Sequence, residues 1–223
     1  KAVQRSQREA REGVVKVAVS GDAKIGFIAE INAETDFVVR SEKFQEFTEK
    51  VMRIVREKQP KDLIELMALK IDGAAVKENL DGLSGIIGEK LDIKRYGLLK
   101  SAGTVAAYSH LGGKIGALAA LDKEGQSDIA YDIAMQVAAA NPKYIRPEDV
   151  PAAELDKEKE IYREQLLREG KPENMIEYIM SGKLEKFYEE ICLIKQEYIK
   201  DDKKKVQDIL GSVKVEKFIR YSL

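Results

Sequence analysis

The chain has 223 residues, a length that suits one large domain or two small ones and is ample for a hydrophobic core. Lysine and arginine number 38 and aspartate and glutamate 39, so the net charge of −1 gives no general attraction to nucleic acid or to a membrane surface. The single cysteine, Cys192, and the single histidine, His110, exclude an intrachain disulfide, a cysteine-based zinc or iron–sulfur site and a histidine-rich metal site.

Membrane and export signals do not stand out in the sequence. No apolar run approaches the roughly 18 residues that cross a bilayer. Residues 1–9 are charged and contain no apolar core of a signal peptide. These features predict an intracellular, cytosol-like compartment and no contact with a membrane.

The first elements along the chain are two strands and a helix. Residues 14–19 and 25–31 are apolar, largely β-branched runs separated by a turn with Gly21, a pattern that predicts a β-hairpin. Ser41 is a predicted N-cap, because Glu42 follows it and apolar residues then recur at helical spacing. Those residues are Phe44, Phe47, Val51 and Val55.

The same pattern recurs in the second half. Gly13 reappears as Gly103, and the Lys-Ile-Gly of residues 24–26 reappears at residues 114–116. A second predicted β-hairpin follows Gly103 and includes the second Lys-Ile-Gly. Ser127 is the second predicted N-cap, ahead of Ile129, Ile133 and Val137. The first copy carries extra residues between its second strand and its helix, within residues 32–40.

The two halves also end alike, which predicts the fold class. Residues 83–88 match residues 206–211, and the Arg-Tyr of residues 95–96 matches that of residues 220–221. We predict an α+β fold of two duplicated subdomains, each a small antiparallel sheet packed with helices. The predicted parts are a linker (1–12), a first core subdomain (13–100), a second core subdomain (101–150 and 191–223) and a helical hairpin inserted in the second (151–190).

The inserted hairpin consists of two predicted amphipathic helices. Leu155, Tyr162 and Leu166 share a face of the first, and Gly170 followed by Pro172 ends it. The apolar stripe of the second contains Ile176, Ile179, Met180, Leu184 and Phe187. Two interpretations stay open: the stripe packs on a partner, or it packs only within the hairpin and on the rest of the chain.

The extra residues Thr35, Asp36, Phe37 and Val38 also allow two interpretations. In one, Phe37 folds back as a hydrophobic staple near the Ser41 cap, and Asp36 is a turn residue. In the other, an aromatic next to an acid projects from the end of a sheet, where extra loop residues on a rigid scaffold commonly serve a function. The asymmetry between the two halves favours the second.

Other features of the sequence favour ordinary structural roles. His110 ends a predicted strand and on its own predicts a surface or strand-edge residue. The Gly-Gly-Lys of residues 112–114 lacks the spacing of a phosphate loop and predicts a hairpin turn. Residues 201–205 are a charge run that predicts a solvated loop before a helix, with a nucleic-acid patch as the weaker alternative. Cys192 lies in an apolar run and is predicted to be buried.

An ordered set of motifs spans nearly the whole chain. These are residues 34–38 (ETDFV), 87–90 (IGEK) with Arg95, 108–110 (YSH), 114–116 (KIG), 138–142 (AAANP), 170–174 (GKPEN) and 218–221 (FIRY). Together they resemble the elongation factor Ts family, the guanine-nucleotide exchange factors of the translational GTPase EF-Tu. The family usually begins with a ubiquitin-associated-like domain; we expect this chain to lack it, with residues 1–13 resembling the linker that follows it. The family also tends to continue beyond its final Arg-Tyr strand.

The resemblance implies a function and a site. It implies that Asp36 and Phe37 wedge between two helices of the GTP-binding domain of EF-Tu, with Thr35 and Val38 shaping the wedge. The wedge would disturb the Mg²⁺ and phosphate site and so promote release of GDP. Further family-matched contacts are Ile87, Gly88, His110, Ile199 and Lys200.

The resemblance also implies what the protein does without. An exchange factor needs no catalytic residue, cofactor or metal, so we expect a protein that is not an enzyme. The balanced charge separately predicts no direct binding to nucleic acid. We expect it in the bacterial cytoplasm, or in a mitochondrial matrix or plastid stroma. A homodimer through the hairpin is also consistent with the resemblance.

Two rival functions come from other classes. A non-exchanging adaptor or scaffold would use the hairpin to join partners, and Asp36 and Phe37 would then be dispensable. An enzyme with a pair of carboxylates is disfavoured, because no aspartate or glutamate pair is tied in sequence to a plausible base, metal ligand or oxyanion donor.

Overall fold

The computed structural model describes residues 8–223, so residues 1–7 of the predicted linker lie outside the described part. In chain order the strands are β1 (Glu12–Val19), β2 (Ile25–Ala33), β3 (Lys70–Ile71), β4 (Ala74–Ala75), β5 (Leu91–Lys100), β6 (Thr104–His110), β7 (Ile115–Leu121), β8 (Glu197–Tyr198), β9 (Asp201–Lys205) and β10 (Val215–Ser222). The helices are α1 (Asp36–Arg40), α2 (Glu42–Lys58), α3 (Leu63–Ala68), α4 (Val76–Ile87), α5 (Ser127–Ala140), α6 (Ala152–Arg168), α7 (Glu173–Ile191) and α8 (Val206–Leu210). Short 3₁₀ turns lie at Leu111–Gly113, Pro147–Asp149 and Leu193–Lys195.

The chain divides into two compact units. Of the described residues, the first unit contains residues 8–138 together with Val213–Leu223, and the second is Ala139–Ser212. In the first unit, β1-β2-β5 and β6-β7-β10 are three-stranded antiparallel sheets with the same connectivity. Each begins with one of the predicted hairpins, and a strand much later in the chain adds to the second strand of that hairpin. The structure confirms the α+β class.

Strand β2 is buried on both faces because it lies in the middle of the first unit. Phe27 and Ile31 point to one face, where they pack with residues of α2 such as Phe44. Ile28 points to the other face and packs between the two sheets with Leu118 of β7. This two-sided burial explains why residues 25–31 read as an almost continuous apolar run.

The two sheets approach each other closely at glycines. A Cβ atom on Gly26 would lie 2.9 Å from Cγ1 of Val105, and one on Gly116 would lie 2.5 Å from Cγ1 of Val15. Each glycine therefore accommodates a branched side chain from the facing sheet. These contacts fix how the sheets stack, and so where the ends of their strands lie.

The helix N-termini of the first unit follow the predicted caps with one difference. The Oγ atom of Ser41 accepts the N–H of Phe44 at 3.4 Å, which confirms Ser41 as the N-cap of α2. Ser127 is the first residue of α5 rather than its cap, so that prediction is wrong by one residue. The preceding N–H, that of Gln126, is bound by the Thr104 hydroxyl at 3.2 Å, which ties the start of α5 to β6.

In the second unit, α6 and α7 form the predicted antiparallel hairpin. Gly170 adopts a left-handed φ of 70° in the break between them. Leu166 packs against Ile176 and Met180 of the facing helix, so the predicted stripe is covered largely within the hairpin. Cys192 is fully buried, as predicted.

The charge run in the second unit differs from its prediction. Residues Asp201–Lys205 form β9, which pairs with β8, rather than a loop. The side chains of β9 are exposed or half-buried, so the charges stay solvated while the backbone pairs, as suits a short edge strand. No helix within residues 8–223 is long and apolar enough to cross a membrane.

Candidate functional site

The extra residues of the first half form a short helix, α1, where the sequence indicated a loop. Thr35 is its N-cap and accepts the N–H of Val38 at 3.4 Å. At the other end, the Ser41 hydroxyl donates to the carbonyl of Val38 at 2.7 Å. An exposed ion pair of 3.0 Å joins Asp36 to Arg40 one turn later. Side-chain bonds at both ends therefore hold this single turn.

Phe37 projects from that turn into solvent. Its side chain is 82% exposed, whereas the neighbouring Val38 is 8% exposed and packs into the core formed with α2 and α4. The staple interpretation is wrong: Val38, one residue later, supplies the contact with the core, and Phe37 points away from it. An aromatic ring exposed on a fixed support is a feature of binding surfaces.

The end of α4 lies directly beside α1. The N–H of Thr35 donates to the Glu89 carboxylate at 3.1 Å, and the Thr35 hydroxyl donates to the same group at 2.9 Å. In return, the Glu34 carboxylate accepts the N–H of Lys90 at 2.6 Å. We call these three bonds the carboxylate clasp. It brings the predicted contacts Thr35 and Gly88 into one region.

The last residues of α4 have distinct environments. Gly88 ends the helix with a left-handed φ of 88°, and its N–H donates to the Ser84 carbonyl at 2.9 Å. Ile87 is half-buried against the core, whereas Ile86 is 70% exposed. An open groove of about 330 Å³ begins at Ile86 and runs along Leu83 between α2 and α4. The C-terminus of α4 therefore adds an apolar surface to that of Phe37.

His110 lies at the exposed end of β6, an edge strand of the second sheet, as the sequence predicts. Its Nδ1 atom is 3.1 Å from the hydroxyl oxygen of Tyr108, and the two rings stack with centroids 5.8 Å apart. Tyr131 of α5 meets Tyr108 edge-on at 5.6 Å. Leu111, which follows His110, is 66% exposed. This part of the surface is aromatic and rigidly supported.

The His110 turn and α1 lie at the same end of the two sheets. Lys114, just after the turn, forms a 2.8 Å ion pair with Glu12 at the start of β1. Glu12 in turn pairs with Ala33, the last residue of β2, and Thr35 follows two residues later. The structure therefore places Thr35–Val38, Ile87–Gly88 and His110 at one end of the first unit.

Ile199 and Lys200 belong to the second unit. They form the turn between β8 and β9, where Ile199 is 41% exposed. Residues 8–223 contain no group of three or more His, Cys, Asp or Glu side chains placed to hold a metal ion.

Sequence reasoning missed two residues of the candidate site, Ile86 and Glu89. Ile86 was included only as part of the repeat, because an apolar residue near a helix end is equally typical of a buried core position. Glu89 lay inside a motif but had no role there, since its partner Thr35 is far away in sequence. One positional signal relates Glu89 to Thr35. Thr35 follows the end of β2 by two residues, Glu89 precedes the start of β5 by two residues, and these two strand ends pair.

Comparison with known proteins places the chain among translation factors. A family profile described as Elongation factor TS matches residues 34–223, beginning at the first residue of the clasp. A protein named Elongation factor Ts from Prosthecochloris aestuarii is 40% identical over 238 residues, covering 100% of this chain and 83% of its own. Relatives of the same name from Chloroherpeton thalassium (37% identity; 100% and 82% covered) and Clostridium perfringens (40%; 99% and 77%) also match.

Proposed function

Because this chain belongs to the elongation factor Ts family of translation elongation factors, we propose that it is a guanine-nucleotide exchange factor that binds EF-Tu·GDP and promotes release of GDP. The observation that carries this proposal is the exposure of Phe37 on a helix capped at both ends. The protein acts by binding and forms no covalent intermediate, so it is not an enzyme and has no catalytic residue.

The proposed mechanism is an apolar wedge. Phe37 inserts between two helices of the GTP-binding domain of EF-Tu, where burial of its ring contributes about 2 kcal/mol. Asp36 enters beside it, and Thr35 and Val38 hold the turn that carries both. The inserted pair shifts elements that support Mg²⁺ and the nucleotide phosphates, which weakens the binding of GDP. By linkage, GDP must weaken the binding of this protein by the same factor.

Further contacts widen the proposed interface. Ile87, Gly88 and His110 lie at the same end of the first unit as Phe37, which supports their use by the same partner. We propose Ile199 and Lys200 as contacts from the second unit, on the basis of their exposure and family match. A homodimer through the hairpin is a separate proposal, supported by exposed Tyr178 and Met175 on α7.

The test is the release of a fluorescent GDP analogue from EF-Tu, followed by stopped flow. We expect the parent chain to accelerate release strongly and Phe37→Ala to lose that acceleration at least about tenfold, as for an interface anchor. Ile64→Ala is the matched control, because Ile64 is an apolar side chain of α3 that is 83% exposed and lies outside the candidate site. Both variants should unfold at the same temperature as the parent.

Each alternative has its own outcome. No acceleration by the parent, at concentrations where it binds EF-Tu, would refute exchange and favour the adaptor function, in which Tyr178→Ala would weaken binding and Phe37→Ala would not. Equal acceleration by the parent and Phe37→Ala would keep the function but refute the wedge.

A further inference from the structure

The carboxylate clasp continues the pairing of β2 and β5 beyond the last pair of the strands. Ala33 and Leu91 are the final paired residues. Beyond them the two backbones no longer pair with each other. Instead, the Glu34 carboxylate accepts the N–H of Lys90, and the Glu89 carboxylate accepts the N–H of Thr35. Bonds to an ionised carboxylate are about twice as strong as neutral ones. The clasp is therefore a strong local connection between two segments distant in sequence.

Glu89 is anchored to α4 at one end and to α1 at the other. Its carbonyl accepts the Ser84 hydroxyl at 2.6 Å, within the turn that ends α4. Its carboxylate receives the Thr35 hydroxyl, and the same hydroxyl oxygen accepts the N–H of Val38. A hydroxyl can donate once and accept at the same time. Glu89 therefore connects the end of α4, through its main-chain carbonyl, to the first turn of α1, through its carboxylate.

We propose that Glu89 is a positioning residue for nucleotide exchange. Its carboxylate fixes α1 against the end of α4, so that Phe37 and the Ile87–Gly88 segment meet the GTPase as one rigid surface. The inference rests on the proposed function and adds to it a residue that acts through Phe37. A five-residue helix has little stability of its own. Without the clasp, the orientation of Phe37 would have to be fixed on binding, at a cost in affinity.

A double-mutant cycle tests the coupling. We would measure the Kd for nucleotide-free EF-Tu with the parent chain, Glu89→Ala, Phe37→Ala and the double variant. Glu89→Ala removes both hydrogen bonds from Thr35 to the carboxylate, and we expect it to raise Kd about tenfold because Phe37 must then be ordered on binding. It should have little further effect once Phe37 is absent. Glu89→Gln retains an acceptor and should recover part of the loss. Glu57→Ala, an exposed glutamate of α2, is the matched control.

The cycle also contains the outcomes that would refute the inference. Glu89→Ala with parental affinity would overturn it. An equal loss in both backgrounds would show that Glu89 contacts the partner directly or supports the fold generally. Failure of the parent chain to accelerate GDP release would instead refute the proposed function, and with it the role of Glu89 in exchange.

A second measurement reports on the clasp without EF-Tu. Amide hydrogen exchange should speed up at Thr35 and Val38 in Glu89→Ala and stay unchanged in the strands of both sheets. Faster exchange throughout the first unit would show a global loss of stability and contradict a positioning role. Unchanged exchange at Thr35 would show that the clasp does not hold α1.

Discussion

The carboxylate of Glu30 has no exposed surface and accepts a 2.5 Å hydrogen bond from Nε of Arg95. A bulge in β5 opposite Glu30 inserts one extra residue, so Lys94 also reaches the carboxylate, at 3.2 Å. The Arg95 guanidinium then extends to the second sheet, where it lies 4.1 Å from the ring centroid of Tyr221 and donates to the carbonyl of Ser222 at 2.8 Å. Arg95 thus links β5 to β10.

Removing Arg95 should destabilise the first unit strongly. Arg95→Met leaves the buried Glu30 carboxylate with Lys94 as its remaining cation. Because the Arg95 side chain is itself 38% exposed, we expect a loss of about 2 kcal/mol, that of a hydrogen bond to a charged group. Urea unfolding followed by circular dichroism measures the free energy of unfolding. Arg53→Met, at an exposed position of α2, should change it by less than about 0.5 kcal/mol. Similar losses in both variants would contradict the importance of this network.

The close approach of the sheets predicts a steric effect at Gly116. In Gly116→Ala the new methyl group would lie 2.5 Å from Cγ1 of Val15, and we expect a loss of about 1–3 kcal/mol from overpacking. Gly82→Ala is the control, because its Cβ in α4 would meet nothing within 4 Å. That change should stabilise the helix by about 0.5–1 kcal/mol.

Thermal unfolding would compare the two glycine variants. Adding Val15→Ala to Gly116→Ala should cost less than Val15→Ala costs alone, because the two changes are complementary in volume. Additive losses would mean that the contact between the sheets is not tight in solution.

The thiol of Cys192 should react slowly with reagents in the folded protein and should ionise only at high pH. Burial, with a smaller contribution from Asp149 and Glu148, raises its pKa from the usual 9.0 to about 11. Because the folded pKa lies above the unfolded one, the stabilising contribution is complete below about pH 9 and is lost as the pH rises toward 11. Ellman's reagent should therefore react slowly at pH 8 and quickly in urea.

The alkaline effect has a direct control. Cys192→Ala should be less stable than the parent below about pH 9, because it leaves a small cavity. It should lose less additional stability than the parent between pH 9 and pH 11. Rapid labelling of the folded parent chain would contradict burial of the thiol.

His110 should contribute to the affinity for EF-Tu rather than to folding. His110→Ala removes an exposed ring stacked on Tyr108, and we expect the concentration for half-maximal GDP release to rise about fivefold to tenfold. The unfolding temperature should stay unchanged. Ser109→Ala, the exposed neighbour in the same strand, is the matched control. An unchanged half-maximal concentration in His110→Ala would remove His110 from the interface.

Much of the fold could be predicted from the sequence because its signals are local. The hairpins followed from β-branched runs with a turn between them, α2 from the Ser41 cap, and the break at Gly170 from a residue that tolerates a left-handed conformation. Helix α1 escaped prediction because five residues are too few to show a periodicity. Strand β9 escaped because its charged residues disfavour strands, and pairing with β8 decided the outcome.

The sequence indicates residues of the candidate site but not their geometry. The acid and aromatic of residues 36–37 stood out in the sequence, yet the staple interpretation was equally compatible with the Ser41 cap. What decides between them is that Val38 fills the core position and that Glu89 binds Thr35. Both are tertiary contacts, and the second joins residues at the ends of two different strands.

The glycine-to-valine contacts between the sheets have a consequence for how this sequence can diverge. A larger residue at position 26 or 116 requires room from the neighbouring side chains, above all Val105 opposite Gly26 and Val15 opposite Gly116 on the facing sheet. Substitutions at these contact positions are therefore coupled in pairs, and a change in one sheet requires a matching change in the other. Related sequences should show compensating exchanges of volume at these positions, even where the rest of both sheets has changed.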